Sequence, residues 1–505
     1  MTPAGVLRRL SGTEAACAYR HALTGGRTQA ATRLTVAAVF SPAYVERAVA
    51  RWARGFRALS LRIVEEGGSL WFHEVPGFAP DQLRQEMRTA SGPHPAWDLG
   101  SGAGGLPASG AGDVLTAGGP LWRLGVGHDP AAAATHLLLT CHPALCDGPS
   151  TARLLRALLD ALLGQGAAGC GRPGYRQDPA PDADELTYRA PPPPYPGTGM
   201  EPIPGAGPVP PPRTPLARRA AGPKSAAPGP GATGTVAAAG GAGGVVPVSL
   251  TARQSARLTA WCGRHRISAG QFFAAALADS CARAAGEEEV ALLTAVSLRG
   301  RYAESVRVSE VGCFVNVVRA TVRAGDGGAL VERARAYGLA VRAADAAWRP
   351  VRQDHARIRR AVEDETAASG GGLVFRVAQE GYVDTVLGHH AALVTRYGTT
   401  PYGAVPHPAG HAVPDGAAPY VSADGTNGGY GAAYGTTRGA AVRGAVPRPP
   451  GVLHLSRFRG ALTLSLGMPG LPESGAGAGT PPGDGGLTAP EIAAELTARA
   501  LDLVA

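Results

Sequence analysis

Between Gln165 and Gly244 the chain is dominated by proline, glycine and alanine, with proline runs at Pro191–Pro194 and Pro210–Pro212. Such a stretch buries too little apolar surface to offset its ordering entropy. It reads as a largely disordered linker, and it forces the rest of the chain into two separate folding blocks, 1–164 and 245–505. With 505 residues in all, each block has the length for its own core. A second Gly/Pro-rich stretch, 401–450, reads as a loop within the later block. The chain holds 72 glycines and 44 prolines, nearly a quarter of its residues. That proportion fits folded blocks interrupted by loose segments.

Both blocks mix the two hydrophobic periods. Leu34 to Phe40, Ala58 to Val64 and Leu70 to Val75 read as strands. Ser41-Pro42 starts a helix with Val45, Ala48, Val49 and Trp52 on one face. Leu121 to Val126 and Thr135 to Cys141 form a predicted hairpin. A tight segment, His142 to Gly148, leads from it into a leucine-faced helix with Ser150 as its expected cap, stopped by Gly164. In the later block, helices are predicted over Thr251 to Cys262, Ala269 to Arg283 and Ala329 to Ala347. Strands are predicted over Val290 to Leu298, Val311 to Val322, Leu373 to Val377, Ala391 to Thr395, Leu453 to Ser456 and Ala461 to Leu466. Thr488 is read as the cap of the last helix. Ser268 with Gln271 has the spacing of a capping box. Trp52, Trp71, Trp122 and Trp261 sit in apolar patterns and are expected in cores. The similar element order of the two blocks predicts an α/β (α+β) protein of two related lobes, with a ligand site between them.

Several functions are excluded. Lys and Arg number 48, yet Lys224 is the sole lysine, and it lies in the Pro/Gly-rich stretch. A pyridoxal-phosphate Schiff base, a P-loop and a kinase strand lysine all lack their residue. The net charge of +9 is spread over scattered arginines with no run of five basic residues, so no nucleic-acid partner is expected. A mildly basic surface instead suits a phosphate-bearing thioester or an acidic carrier protein. The 7 cysteines are odd in number and form no C-x-x-C pair, so neither a disulfide framework nor a metal site is expected. Reduced thiols fit a cytoplasmic location. Met1 to Ala16 has no apolar core of a signal peptide, and no stretch is long and apolar enough to span a membrane. Gly100, Gly102 and Gly105 have dinucleotide-loop spacing but lack the flanking strand and helix. His389-His390 follows Gly388 with no Asp-Gly after it and is read as loop composition. No G-x-S-x-G or H-E-x-x-H occurs.

The segment with chemical content is His142-Pro143-Ala144-Leu145-Cys146-Asp147-Gly148. An imidazole at a strand end can act as a general base, and a nearby carboxylate can pin a tautomer or anchor the loop by an ion pair. A single His beside an Asp-Gly turn is also ordinary turn chemistry.

This segment resembles the His-His-x-x-x-Asp-Gly motif of the CoA-dependent acyltransferase superfamily, which includes chloramphenicol acetyltransferase, condensation domains, wax ester synthases and polyketide-associated acyltransferases. Gly119-Pro120-Leu121-Trp122-Arg123 and Thr135-His136-Leu137-Leu138-Leu139 are similar to the family's flanking strands. Val296-Ser297-Leu298-Arg299, followed by Gly312-Cys313-Phe314-Val315-Asn316, is similar to a stretch of its second lobe. Thr395-Arg396-Tyr397-Gly398 stands where relatives often have Ser-Asn-x-Gly. The resemblance implies two chloramphenicol-acetyltransferase-like lobes around a tunnel. It implies an acyl-CoA or acyl carrier protein as co-substrate, with no bound cofactor, and a small-molecule hydroxyl or amine acceptor. Asp147 and Gly148 would be structural, with Arg299 the Asp partner or a tunnel residue and Asn316 a tunnel residue. A monomer is expected.

The departure falls at the catalytic position, where relatives carry the second His and this chain has Pro143. In one reading His142 takes over as the catalytic base through a one-residue shift of the loop. In the other the usual base is lost, and the protein is inactive or works by another route. The rival function class is a degenerate condensation-like protein acting as a binding or structural partner; a weaker third is a small-molecule binder.

Overall fold

The structure, a computed structural model, describes residues 6–26, 28–75, 77, 82–87, 114–164, 245–302, 306, 310–323, 329–349, 354–368, 373–401, 451–468 and 489–503. The predicted linker 165–244, the Gly100–Gly105 spacing, the Thr488 cap and residues 402–450 of the predicted loop lie outside these residues; Pro401, read as the loop's first residue, ends a strand instead. In the first half run β1 (Val6–Arg9), α1 (Gly12–Leu23), β2 (Ala30–Val36), α2 (Pro42–Gly55), β3 (Leu61–Glu66), β4 (Ser69–Glu74), β5 (Leu83–Met87), β6 (Trp122–Asp129), β7 (Ala134–Cys141) and α3 (Gly148–Leu162). In the second run β8 (Val245–Leu250), α4 (Ala252–Arg264), α5 (Ala269–Ala285), β9 (Glu289–Ser297), β10 (Val315–Arg323), α6 (Leu330–Ala347), α7 (His355–Ala368), β11 (Leu373–Tyr382), α8 (Val383–Leu387), β12 (Val394–Pro401), β13 (Gly451–Phe458), β14 (Ala461–Gly467) and α9 (Ala489–Asp502). The fold is α/β, as expected.

Local chemistry explains most boundaries. Ser11–Glu14, Thr251–Gln254 and Ser268–Gln271 each close a reciprocal capping box at a helix start. Gly286 ends α5 in the left-handed conformation that costs glycine least. One expectation is corrected: the cap of α3 is Asp147, not Ser150. Asp147 is extended, and its carboxylate accepts the Ser150 N–H at 2.9 Å, so Ser150 already lies in the first turn. Residues 311–314, read as the start of a strand, precede β10, which begins at Val315.

Two cores result. The first gathers α1, α2, α3 and the inner faces of β2, β6 and β7 around Leu34, Trp52, Trp122, Leu137, Leu139 and Leu158. The second gathers α4, α5, α6 and α9 on one face of the larger sheet, around Phe272, Phe273, Leu292, Phe375 and Leu453. Trp52 and Trp122 meet edge to face at 5.1 Å, and each indole N–H donates to a backbone carbonyl, Leu154 and Leu59. Trp71 and Trp261 are only half-buried.

The strand orders are β1-β4-β3, β12-β2-β7-β6-β5 and β10-β9-β11-β13-β14-β8. The chain's halves are therefore interleaved. β12, from the second half, forms the edge of the first half's five-stranded sheet, pairing antiparallel with β2 from Val394↔Val36 to Pro401↔Ala30. Ile358 and Val362 of α7, with Val383 and Leu387 of α8, also enter the first core.

Gly451 is fixed by packing. It stands opposite Phe375 on the neighbouring strand, and a Cβ there would lie 2.4 Å from the Phe375 ring and 3.3 Å from the Gly467 carbonyl. Gly451→Ala is expected to cost about 1–3 kcal/mol by overpacking. Gly263→Ala, where a Cβ in α4 would meet nothing within 4 Å, is expected to stabilise by roughly 0.4–1 kcal/mol. Urea unfolding of the two variants checks both signs.

Candidate active site

The candidate motif begins where β7 leaves its sheet. The His142 N–H still donates to the Leu121 carbonyl at 2.8 Å, and the Leu145 N–H then closes a turn onto the His142 carbonyl at 2.9 Å. Pro143 is the second residue of that four-residue turn, where a ring-fixed φ is favourable. The turn asks for no N–H at this position, so proline satisfies it.

His142 is 2% exposed. Its Nδ1 accepts the Ala144 N–H at 3.1 Å, and its ring meets the edge of His21 at 4.4 Å. With Nδ1 accepting, the neutral ring carries its proton on Nε2. Burial pushes the imidazole well below its ordinary value, and His21 adds to the shift. His21 lies between the Leu115 carbonyl, 2.7 Å from Nε2, and Thr28 Oγ1, 2.8 Å from Nδ1. Burial takes its pKa down to about 4, against the opposing pull of the Leu115 hydrogen bond.

Asp147 and Arg299, 152 residues apart in sequence, form a buried bidentate pair. Arg299 Nε reaches Oδ2 at 3.0 Å and Nη2 reaches Oδ1 at 2.9 Å. Nη2 also donates to the Glu310 carbonyl at 3.1 Å, and the guanidinium stacks 4.9 Å from the Phe314 ring centre. Ser150 Oγ joins the assembly, 2.6 Å from Asp147 Oδ1 and 2.8 Å from the Gly312 carbonyl, and it accepts the Gly312 N–H at 3.0 Å. The Asp147 N–H donates to the same Gly312 carbonyl at 3.1 Å. Arg299 thus stands as the partner of Asp147.

Gly148 opens α3, and a Cβ there would make only ordinary contact with Glu380, at 3.5 Å. Asn316 is apart from the clamp. It lies on β10 opposite Val296, 8% exposed, with a buried Nδ2 that has no hydrogen-bond partner among the described residues.

Other polar groups meet that the sequence reading did not connect. Glu380 accepts hydrogen bonds from Tyr397 Oη at 2.9 Å and Thr399 Oγ1 at 3.0 Å, with His454 Nε2 at 3.5 Å. Burial pushes Glu380 up, but His454 and these hydrogen bonds outweigh it and hold the carboxyl below its usual range. His390, buried in a short 3-10 turn, bonds the Asp160 carboxylate of α3, with the His389 ring 3.9 Å away. Among the described residues these three bring metal-type donor atoms within 4.8 Å of one another, although the hydrogen bond already occupies Asp160. Only Ser150 carried a local sign, standing three residues after Asp147 at cap spacing; the other partners are distant in sequence.

No family model and no curated protein sequence matches the chain. Solved structures do match. The first condensation domain of the CDA synthetase is 15% identical, with 99% of this chain and 97% of that one covered at a TM-score of 0.54. The epimerization domain from the third module of tyrocidine synthetase B is 13% identical, with 100% and 99% covered at 0.52. Polyketide synthase associated protein 5 from Mycobacterium tuberculosis is 14% identical, with 99% and 98% covered at 0.50. At these identities the likeness is one of fold: the chain has the two-lobed α/β fold of condensation domains, the architecture that the motif resemblance implied.

Two outcomes follow from this geometry. Asp147→Ala leaves a buried guanidinium without its partner and is expected to cost about 3–5 kcal/mol, while Arg299→Lys, which keeps charge but loses the fork, falls between that and wild type; urea unfolding measures both. The depressed His21 and His142 bind protons more weakly folded than unfolded. Stability is therefore full above the ordinary imidazole value and falls with pH below it. His21 alone accounts for a loss on the order of 3 kcal/mol by pH 4. Unfolding curves from pH 7.5 to 4 should show a fall that His142→Gln makes shallower.

Proposed function

We propose that the chain is a condensation-like acyltransferase that moves an acyl group from a CoA or carrier-protein thioester to an amine or hydroxyl acceptor, without an imidazole base at the usual position. The observation that carries this reading is the tautomer of His142. A base must offer a lone pair to the substrate proton, and the His142 Nδ1 lone pair is taken by Ala144, which leaves Nε2 protonated. His142 is in this reading a support of the turn rather than the group that deprotonates the acceptor. Asp147, Gly148 and Arg299 keep the loop in shape, and Asn316 is a candidate contact for substrate.

A lost base does not end the reaction. General base catalysis contributes typically 10²–10⁴-fold, whereas holding two reactants in position gives effective molarities of about 10⁵–10⁸ M. An amine acceptor suits such a site best, because its neutral form attacks a thioester before losing its proton. The mildly basic chain, of net charge +9, suits a phosphate-bearing donor. A cytoplasmic location goes with this reading, and among the described residues no helix is long and apolar enough to cross a membrane. The second reading, a catalytically degenerate binding or structural partner, draws on the same Pro143 and buried His142.

Mass spectrometry of products from a panel of acyl-CoAs with amines and alcohols separates the readings. Wild-type protein is expected to acylate amines slowly. His142→Ala should leave the rate within a few-fold while lowering stability. Pro143→His should raise the rate up to about 10²–10⁴-fold, at a stability cost of roughly 0.4–1 kcal/mol from the freer turn. Product from neither wild type nor Pro143→His would favour the binding-partner reading. A loss of 10²-fold or more in His142→Ala would restore His142 as the base.

A further inference from the structure

A pair of thiols joins the chain's halves beside the clamp. Cys17 on α1 and Cys313, in the segment that leads into β10, are 296 residues apart in sequence, yet their Sγ atoms stand 3.6 Å apart. Cys313 is buried and Cys17 is partly exposed. We propose that Cys17 and Cys313 are a redox modification site that a peroxide-class oxidant converts to a disulfide. To form the bond the sulfurs must close from 3.6 Å to about 2.05 Å.

The chemistry of the two thiols is asymmetric in the required sense. The hydrogen bond donated by Cys313 holds Cys17 below its ordinary value against the opposing effect of burial, and Arg20 and Arg376 add to the lowering. Of the two thiols Cys17 is the one held lower and the one on the partly exposed residue, which makes it the nucleophile of the pair. Its sulfur attacks one peroxide oxygen, the O–O bond breaks, and after proton uptake one water leaves and Cys17 becomes a sulfenic acid. The Cys313 sulfur then attacks the Cys17 sulfur, the S–O bond breaks and a second water leaves. Two thiols and one hydrogen peroxide give one disulfide and two waters. The other close thiol pair, Cys141 and Cys146, lacks this asymmetry: both are buried, and Cys141 is pushed well up by its bond to Cys146 and by burial.

The bond would staple residues 311–313 to α1. That segment carries the Gly312 groups that bond Asp147 and Ser150. Oxidation would add a covalent link to a segment held by the Gly312 hydrogen bonds and by Val311 in the first core.

The test is treatment of the folded full-length protein with hydrogen peroxide, thiol alkylation, and tryptic mapping without reductant. The expected product is the Leu10–Arg20 peptide joined to Val308–Arg319, reversed by dithiothreitol and absent from Cys17→Ser and Cys313→Ser. Oxidised wild type should melt about 5 °C or more above the reduced protein, with no such rise in either variant. Three results would overturn the proposal: Cys17 carried to sulfinic or sulfonic acid without a cross-link, an internal disulfide within the Leu124–Arg153 peptide instead, or a cross-link that forms only in urea. An unchanged melting temperature in a cross-linked sample would overturn the stapling.

Discussion

The buried pair of Asp147 and Arg299 sets the conditions that the surrounding structure has to meet. Taking both charges out of water costs several kcal/mol per ion, and attraction offsets this only when every remaining lone pair and proton has a partner. Here the partners come from three places: Ser150 in the first turn of α3, and the Glu310 and Gly312 backbone. None of these can move without leaving a buried group unpaired. The start of α3, the end of β9 and the approach to β10 are therefore held in one geometry. The Phe314 ring under the guanidinium, with Leu298 and Tyr302, seals the assembly from water and strengthens each bond within it.

A second constraint acts through β12. A strand that leaves one sheet to border another must carry side chains acceptable to both, and Tyr397 and Thr399 do this. The Tyr397 ring lies in the first core while its hydroxyl bonds Glu380 on β11 of the larger sheet. Thr399 bonds both Glu380 and Thr32 of β2. The contact between the sheets is thus polar and directional at this place, which fixes register as apolar packing alone would not.

Local order was legible where the signal was local. Capping boxes, the Pro42 helix start and the apolar runs of β9 and β14 announce themselves within a few residues. Helix α7 did not: His355 to Ala368 is mostly charged and polar, with Ile358 and Val362 its buried apolar residues beside a buried His355, too narrow an apolar stripe to read as a face. The destination of β12 could not be read either, because the same eight residues suit an edge of either sheet. At the site, the pairing of Asp147 with Arg299 came from resemblance. Spacing says nothing about partners 152 residues away, and so Gly312 and Glu310, which are backbone contributors, left no trace in side-chain pattern.

Pro143 shows why a fold and its chemistry can part. The strand delivers Leu137, Leu139 and Cys141 to the core in alternation. The chain then turns by bonding Leu145 N–H to the His142 carbonyl. That turn is satisfied by backbone atoms of residues 142 and 145 and by the His142 ring, none of which belongs to residue 143. Position 143 is therefore free to change without loss of the loop, and a ring-fixed φ even favours the turn by limiting the unfolded chain. The clamp at Asp147 depends on none of these bonds. The bonds that hold the loop and the side chain at position 143 are therefore separable, and the turn and the clamp can stand whichever residue occupies that position.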